Sequence, residues 1–540
     1  MKLKLLLVTF ITAAIAMSCG NSKTKKPMQQ KIDEYAEVTL TANLNNLSTG
    51  ERQMLPFLIE AAKIMDNLFW TQAFGDKSAL NTISDDAARE FVQINYGPWE
   101  RLNGNKPFVE GFLAKPLGAN FYPVDMTKEE FEELKDSAKT SQYTLIRRDE
   151  QGKLKVVPYH QYYKKELERA VNQMNLALLS CEDKDLKKYL KCRAEALLTD
   201  EYYESDSVWM DMRTNVIDFI VGPIESYEDA LYGYKTAYEA FILMKDTAWS
   251  GKLEKFNRLM PDLQKSLPCD IEYKKESPGT NSDLAVYDVL YYAGDCNAGS
   301  KTIAINLPND ERVHVKQGTR KLQLKNAMRA KFDKILMPMA KNLIDKEQLD
   351  NVKFDAFFEN VTFHEVAHGL GIKRTINGTE TVRNALKDTY STIEEAKADV
   401  AGLFLVKQLG RQGHLGKKEL MDNYVTFVAG IFRSVRFGAS SAHGKANMLT
   451  FNYLREKGAF ERSANGTYKV NFERMDKAVD GLVREILTIQ GDGNYEKASS
   501  WIAEKSGVKG VLLEDLNKIA TLGIPKDIRF NQGPKALGLR

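Results

Sequence analysis

The residues best placed to do chemistry are the histidines and the glutamate of Phe363-His364-Glu365-Val366-Ala367-His368-Gly369. Two histidines four positions apart lie on one face of a helix, about one turn from each other. This spacing lets both imidazoles bind one zinc ion, and the glutamate between them can reach a water molecule on the metal. The motif therefore predicts a hydrolytic enzyme with Glu365 as general base and a peptide bond as its target.

A catalytic zinc site also needs a third protein ligand and leaves its fourth position to water. The segment Ser391-Thr392-Ile393-Glu394-Glu395-Ala396-Lys397-Ala398-Asp399-Val400 is predicted to be a helix that places Glu395 and Asp399 on one face. One carboxylate can bind zinc, while another accepts a hydrogen bond from a ligand imidazole and fixes its tautomer. An acidic helix start that faces solvent is the alternative, and it stays open at this point.

The order H-E-x-x-H, then E-E-x-[KR]-A-D, resembles the dipeptidyl peptidase III family of zinc metallopeptidases. Three further segments resemble motifs of that family in the same order: Val221–Asp229, Asn306–Asn309 and Ala442–Asn447. The resemblance covers roughly residues 118 to 525. It implies that Glu395 is the third zinc ligand beside His364 and His368, and that Glu394 and Asp399 are supporting carboxylates.

The resemblance also implies how a peptide would be held. Glu225, Asn306 and Asn309 would bind the free amino end and the backbone of the peptide. Tyr227 and His443 would donate hydrogen bonds to the oxyanion that develops beside Glu365. The expected activity is release of dipeptides from the amino ends of short peptides, with Zn²⁺ as cofactor.

Two departures from the family pattern concern the metal and the substrate. The usual motif of the family is H-E-x-x-G-H, one residue longer than the motif here, and Asn447 stands where an arginine is common. The five-residue spacing still predicts metal binding. A zinc endopeptidase or aminopeptidase, and a peptide-binding envelope lipoprotein with little turnover, remain alternatives. Cobalt or manganese in a similar site also remains open.

Length and charge restrict the class of protein. A chain of 540 residues is too long for one hydrophobic core, so two lobes are expected. The net charge of +3 gives no support for nucleic acid or an anionic membrane as the main partner, and no nucleic-acid partner is expected. None of the cysteines after Cys19 forms a C-x-x-C pair, which predicts free thiols rather than a cysteine zinc site, with disulfides left open. The sequence leaves the oligomeric state open.

Local patterns predict an α+β fold with two lobes around a wide cleft. Residues 141–157 show a hairpin pattern, residues 283–316 look extended, and nearly all of residues 322–523 look helical. The predicted divisions are a mixed α/β lobe with the substrate-binding strands, a mostly helical lobe with the zinc site, and a C-terminal tail: residues 41–320, 321–525 and 526–540.

The N-terminal residues have the pattern of an export signal. Lys2 and Lys4 precede the apolar run Leu5–Ala16, and Ser18 before Cys19 resembles a bacterial lipoprotein cleavage site. This predicts a signal peptide over residues 1–18, a lipidated Cys19 and a tether over residues 19–40. The protein would then be lipid-anchored in the cell envelope, facing the periplasm, and would meet the membrane only through that anchor. A plain secretory signal with an incidental cysteine is the alternative.

Overall fold

The structure is a computed structural model that describes residues 27–278, 282–415 and 420–539. The predicted signal peptide, Cys19 and the first residues of the predicted tether lie outside the described residues. Within the described part, no helix combines the length and the apolar character that a membrane span requires.

The N-terminal part of the chain contains strands and helices in alternation. Its strands are β1 Tyr35–Thr39, β2 Trp99–Glu100, β3 Lys106–Pro107, β4 Thr144–Arg148, β5 Leu154–Pro158, β6 Ile217–Glu225, β7 Ala237–Lys245, β8 Ser282–Gly294, β9 Ala304–Leu307 and β10 Thr319–Leu324. Its helices are α1 Pro27–Asp33, α2 Thr49–Ala73, α3 Asp86–Asn95, α4 Lys128–Glu133, α5 Tyr159–Tyr162, α6 Lys164–Ser180, α7 Lys184–Thr199, α8 Tyr203–Asp211, α9 Thr247–Ser266 and α10 Glu311–Gln317.

The C-terminal part is mostly helical. Its helices are α11 Lys325–Lys331, α12 Met337–Leu343, α13 Phe354–Ala367, α14 Val382–Leu386, α15 Tyr390–Arg411, α16 Leu420–Val435, α17 Ala442–Glu456, α18 Phe472–Asp492, α19 Tyr495–Lys505 and α20 Gly510–Ala520. Its strands are β11 Phe460–Arg462, β12 Tyr468–Val470 and β13 Asp527–Asn531.

A five-stranded sheet organises the first lobe. Its order is β6-β7-β8-β10-β9, with β8 and β10 parallel and the other neighbouring pairs antiparallel. β7 is buried along nearly its whole length, as expected for a strand covered on both faces. β9 lies at the edge, so one side of its backbone is not paired within the sheet.

Two large hydrophobic cores among the described residues agree with the predicted two-lobed α+β fold, which is confirmed. The first core surrounds the sheet and includes α2, α6 and α7, with Leu58, Phe69 and Tyr238 fully buried. The second core lies among the helices of the C-terminal part, with Phe363 and Phe404 buried in α13 and α15. The helix α9 also packs in the second core, although it precedes most of that lobe in the chain.

The packing differs from the predicted divisions at three places. Within the predicted tether, residues 27–40 contain α1 and β1, because β1 pairs in parallel with β13. The predicted C-terminal tail therefore contains a paired strand. The predicted boundary between residues 320 and 321 falls inside β10, which pairs with β8 and β9. None of these pairings is local in sequence, so no short pattern signals them.

Local predictions agree better with the structure. The predicted hairpin is present as β4 and β5, paired from Thr144 opposite Pro158. In the segment expected to be extended, β8 and β9 form, but α10 follows them because the Asp310 side chain caps it by accepting a hydrogen bond from the Arg312 N–H at 2.8 Å. The cysteines after Cys19 are free thiols, as predicted.

Candidate metal centre and active site

The histidines of the H-E-x-x-H motif are held by α13. The helix buries Phe357, Phe358 and Phe363 in the second core and packs along α15, which belongs to the same core. His368 comes directly after the last helical residue and keeps right-handed helical angles of φ −59° and ψ −30°. The two imidazole centroids are therefore 4.9 Å apart, as the five-residue spacing predicts.

The predicted third ligand comes from α15, which packs along α13. Glu395 Oε2 lies 3.3 Å from His364 Nε2 and 3.9 Å from His368 Nε2. One ligand atom of each of these three residues lies within 4.8 Å of the others. The fold thus brings together three residues that the sequence separates by up to 31 positions, counted from His364 to Glu395.

The surroundings of Glu395 fit a divalent metal ion. Its Oε2 atom is buried and makes no hydrogen bond, although imidazole nitrogens of His364 and His443 lie 3.3 Å and 3.1 Å away. A buried carboxylate oxygen without a donor is costly unless a cation compensates it. A metal ion between this oxygen and the two ligand imidazoles would satisfy all three atoms.

Each ligand imidazole is oriented by a second carboxylate. His364 Nδ1 lies 2.7 Å from Asp399 Oδ1, and His368 Nδ1 lies 2.9 Å from Glu394 Oε1. These contacts place the proton on Nδ1 and leave Nε2 of each ring free to bind a metal. Asn447 extends this support, because its side-chain amide donates to Asp399 Oδ2 at 2.6 Å.

The charges around the site keep one histidine protonated in the metal-free protein. Burial opposes the imidazolium of His364, but the carboxylates of Asp399 and Glu395 outweigh it and raise the pKa of His364 to about 10. Burial lowers the pKa of His368, so that ring is neutral near pH 7. One proton of the pair must therefore leave before a metal binds.

Glu365 faces the same region. Burial raises the pKa of this carboxyl group, but the Lys321 ammonium and the His364 imidazolium outweigh burial and lower the pKa. Glu365 is thus ionised near pH 7 and can accept a proton, which is the state that a general base requires.

The two residues predicted to assist the oxyanion have different positions. His443 lies in the first turn of α17. Its ring is 6.2 Å from that of His364 and roughly parallel to it, so it reaches the metal-ligand group. Tyr227 is 83% exposed and, among the described residues, makes no hydrogen bond or ion pair with that group. The charge of the Glu225 carboxylate raises the pKa of the Tyr227 hydroxyl, and burial adds to this.

Of the predicted substrate-binding residues, Asn309 and Glu225 lie together, and Asn306 lies on the strand that leads to Asn309. Asn306 and Asn309 are exposed on and after the edge strand β9, and Asn309 donates to the Ile224 carbonyl of β6 at 3.0 Å. Burial raises the pKa of Glu225, which a hydrogen bond from Asn309 opposes. A carboxylate and two amides thus lie on the sheet lobe, while the metal-ligand group lies on the helical lobe.

Comparison with known proteins identifies the family. The model of peptidase family M49 matches residues 122–379. A solved structure of dipeptidyl peptidase III from Caldithrix abyssi is 40% identical, with a TM-score of 0.89, and the match covers 94% of this chain and 99% of that one. The chain belongs to the dipeptidyl peptidase III family, peptidase family M49. It is therefore a peptidase, with peptides as substrates.

Other relatives of this dipeptidyl peptidase III family member have lower sequence identity, and some of them are longer proteins of which the match covers only a part. The dipeptidyl peptidase III of Corallococcus sp. strain EGB is 35% identical, with a TM-score of 0.76, over 93% of this chain and 96% of that one. A protein of Arabidopsis thaliana named Nudix hydrolase 3 is 36% identical over 93% of this chain and 73% of its own length. Human dipeptidyl peptidase 3 is 22% identical over 78% of this chain and 58% of its own length.

The structure of this family member adds residues that sequence reasoning missed. Lys397 is 1% exposed, and its ammonium lies 2.8 Å from Glu394 Oε1 and donates to the Ala367 carbonyl at 2.9 Å. Gln490 donates to Glu394 Oε2 at 2.9 Å. The spacing of Glu394 and Lys397 by three residues on one helix is a signal that could have identified the first contact. No local pattern connects Gln490 with the site.

A glycine sets the distance between the two helices that carry the ligands. A Cβ atom on Gly402 of α15 would lie 2.7 Å from His364 N and 2.8 Å from Phe363 C. Those atoms belong to the α13 backbone and cannot give way without moving the helix. The close approach at Gly402 is therefore what brings His364 within reach of Glu395 and Asp399.

We expect Gly402→Ala to lower the free energy of unfolding by about 1–3 kcal/mol and to weaken metal binding, because overpacking pushes α13 away from α15. Gly410→Ala on the same helix is the matched control, since a Cβ there meets no atom within 4 Å. The control should gain up to about 1 kcal/mol from helix propensity. Urea unfolding and metal titration of both variants measure these effects, and equal behaviour of the two would exclude this role of Gly402.

Proposed function

We propose that this protein is a zinc-dependent dipeptidyl peptidase that releases dipeptides from the amino ends of short peptides. The observation that carries the proposal is the group of His364, His368 and Glu395 with an ionised Glu365 beside it. The names of the solved relatives support the dipeptide product. Asp399 and Glu394 would hold the ligand imidazoles in their metal-binding tautomer.

The chain's own residues have distinct tasks in this reaction. Zinc, when bound, supplies a Lewis acid for the scissile carbonyl and lowers the pKa of water toward neutrality. Glu365 would take the proton from the attacking water and pass it to the leaving amine. His443, and Tyr227 once a peptide brings the lobes together, would donate hydrogen bonds to the oxyanion, each contributing on the order of a hundredfold to kcat.

The product length would be set by the amino end of the peptide. Glu225 offers a carboxylate for the free ammonium group, and Asn306 and Asn309 offer exposed amides for the first peptide units. The unpaired edge of β9 can hold an extended backbone. A ligand fixed at its amino end in this way places one particular peptide bond at the metal.

A hexapeptide of defined sequence tests the proposal. Mass spectrometry should find a dipeptide and a tetrapeptide as first products, and none after treatment with a chelator. The same peptide with an acetylated amino end is the matched substrate, and it should resist cleavage because it has no ammonium group for Glu225. An endopeptidase would cleave both peptides, and an aminopeptidase would release single residues, so either pattern contradicts the dipeptidyl assignment.

Metal affinity should increase with pH. The metal displaces the proton of His364, whose pKa is raised to about 10 in the metal-free protein, so the neutral fraction grows about tenfold per pH unit between pH 7 and pH 9. His368 is already neutral and adds no second proton. Chelator competition at pH 7, 8 and 9 measures the dissociation constant, which should fall about tenfold at each step. A constant value would mean that His364 is neutral or is not a ligand.

We also propose that the mature chain is anchored in a bacterial cell envelope through a lipid on Cys19 and faces the periplasm. The support is the sequence pattern of residues 1–19. Metabolic labelling of the full chain with a fatty acid should mark the wild type and not Cys19→Ser. Labelling of neither protein, with release of both into the soluble fraction, would refute the anchor.

A further inference from the structure

Lys321 contacts the predicted general base from the other lobe. Its Nζ lies 3.0 Å from Glu365 Oε2 and donates a second hydrogen bond to the Glu365 carbonyl at 3.2 Å. The lysine side chain is 14% exposed and the glutamate side chain 24% exposed. Little water therefore screens the pair, which strengthens it relative to a surface ion pair.

The strand that carries Lys321 belongs to the sheet lobe. β10 alternates in direction: Arg320 and Leu322 are buried toward the first core, and Arg320 donates to the Trp209 carbonyl at 2.9 Å. Lys321 lies between them and points the opposite way, toward α13 of the helical lobe. The ion pair thus joins the two lobes at the reacting centre.

The same strand pair carries a predicted substrate-binding residue. Lys321 of β10 is directly opposite Asn306 of β9 in the antiparallel register. Side chains of directly opposed residues lie on the same face of a sheet, with Cβ atoms about 4.5–5.5 Å apart. A peptide held by Asn306 therefore lies on the face from which Lys321 reaches Glu365.

We infer that Lys321 is a positioning residue that orients Glu365 for proton transfer and sets it relative to the peptide-binding strands. The ammonium contacts Oε2 of the carboxylate, which leaves Oε1 to take the proton from water. The ammonium acts on the base and does not touch the predicted metal ligands. This inference rests on the proposed function only in that Glu365 must be the base.

The test is Lys321→Met, which keeps the length of the side chain and removes its charge. We expect kcat to fall about tenfold to a hundredfold with KM nearly unchanged, because Glu365 loses the contact that orients its carboxylate toward the water, whereas no contact with the peptide is removed. Lys321→Arg should recover part of kcat. Metal content, measured by atomic absorption, should equal that of the wild type.

A double-mutant cycle separates positioning from a general structural role. In a Glu365→Gln background, Lys321→Met should change the residual rate little, since no carboxylate remains to be oriented. Lys316→Met is the charge control, because Lys316 is exposed on α10. A fall in kcat of equal size in both backgrounds, a change confined to KM, or an unchanged kcat would each overturn the inference.

The two proposals fail in different ways. If the wild type releases no dipeptides from the hexapeptide, the dipeptidyl function fails, and Lys321 is then tested on whichever peptide the wild type does cleave. If the wild type releases dipeptides and Lys321→Met is equally fast, the role of Lys321 fails and the function stands.

Discussion

Glu365→Gln should lower kcat by about 10²–10⁴-fold, because an amide of nearly the same shape cannot accept the proton of the attacking water. The carboxylate of Glu365 is ionised in the folded protein, so the substitution removes an active base and not an already neutral acid. Turnover of the defined hexapeptide, followed by chromatography, measures the loss.

Two further measurements identify the reason for that loss. Metal content and peptide affinity should stay near their wild-type values, since Glu365 does not belong to the metal-ligand group. Glu347→Gln is a suitable control because that side chain is 76% exposed and pairs with Lys469 of β12 instead of with a residue of the metal-ligand group. Hydrolysis that persists in Glu365→Gln would refute the assigned base and favour another proton acceptor.

Substitution of the neighbouring glutamates of α15 should weaken metal binding to different extents. Glu395→Gln should lose the metal by far more than a hundredfold in affinity, because Glu395 Oε2 is the buried oxygen that lacks a hydrogen-bond donor and faces both ligand imidazoles. Glu394→Gln should weaken metal binding about 10–100-fold, the usual effect of removing a partner that orients a ligand.

In the metal-free protein, Glu394→Gln should lower the free energy of unfolding more than Glu395→Gln does. Glu394 is the counter-ion of Lys397, which is 1% exposed, and breaking such a buried pair costs about 3–5 kcal/mol. Although burial raises the pKa of Glu394, the charge of Lys397 and the hydrogen bond with His368 hold it well below its usual range. Thermal unfolding and metal titration of both variants suffice as measurements. If Glu394→Gln weakened metal binding more than Glu395→Gln, the assignment of the two carboxylates would be reversed.

The two departures from the family pattern, the shorter motif and Asn447, both concern the candidate metal site. The shorter H-E-x-x-H keeps both imidazoles on one helical turn, and His368 retains helical angles although α13 has ended. Asn447, which stands where the family often has an arginine, donates to Asp399 and so supports His364. In this structure its contact is with the metal-supporting carboxylate, so the change of residue bears on the metal site.

Much of the candidate site followed from local spacing. The helical period of 3.6 residues alone places His364 and His368 on one face, and the same period places Glu395 and Asp399 together on the next ligand helix. The hairpin of β4 and β5 and the helical character of the C-terminal part were also readable from patterns of apolar residues. These features depend on residues that are close in the chain.

Contacts between residues that are distant in the chain could not be predicted from local patterns. The sequence by itself determined which histidines and glutamates are candidates for the metal ligands and the base, since spacing within single helices groups them. Only the tertiary structure decided that Lys321 reaches Glu365 from a sheet strand, that Gly402 lets α15 approach α13, and that β1 pairs with β13. The physical reason is that such contacts form where two elements pack or pair, and packing depends on the shapes of both surfaces at once.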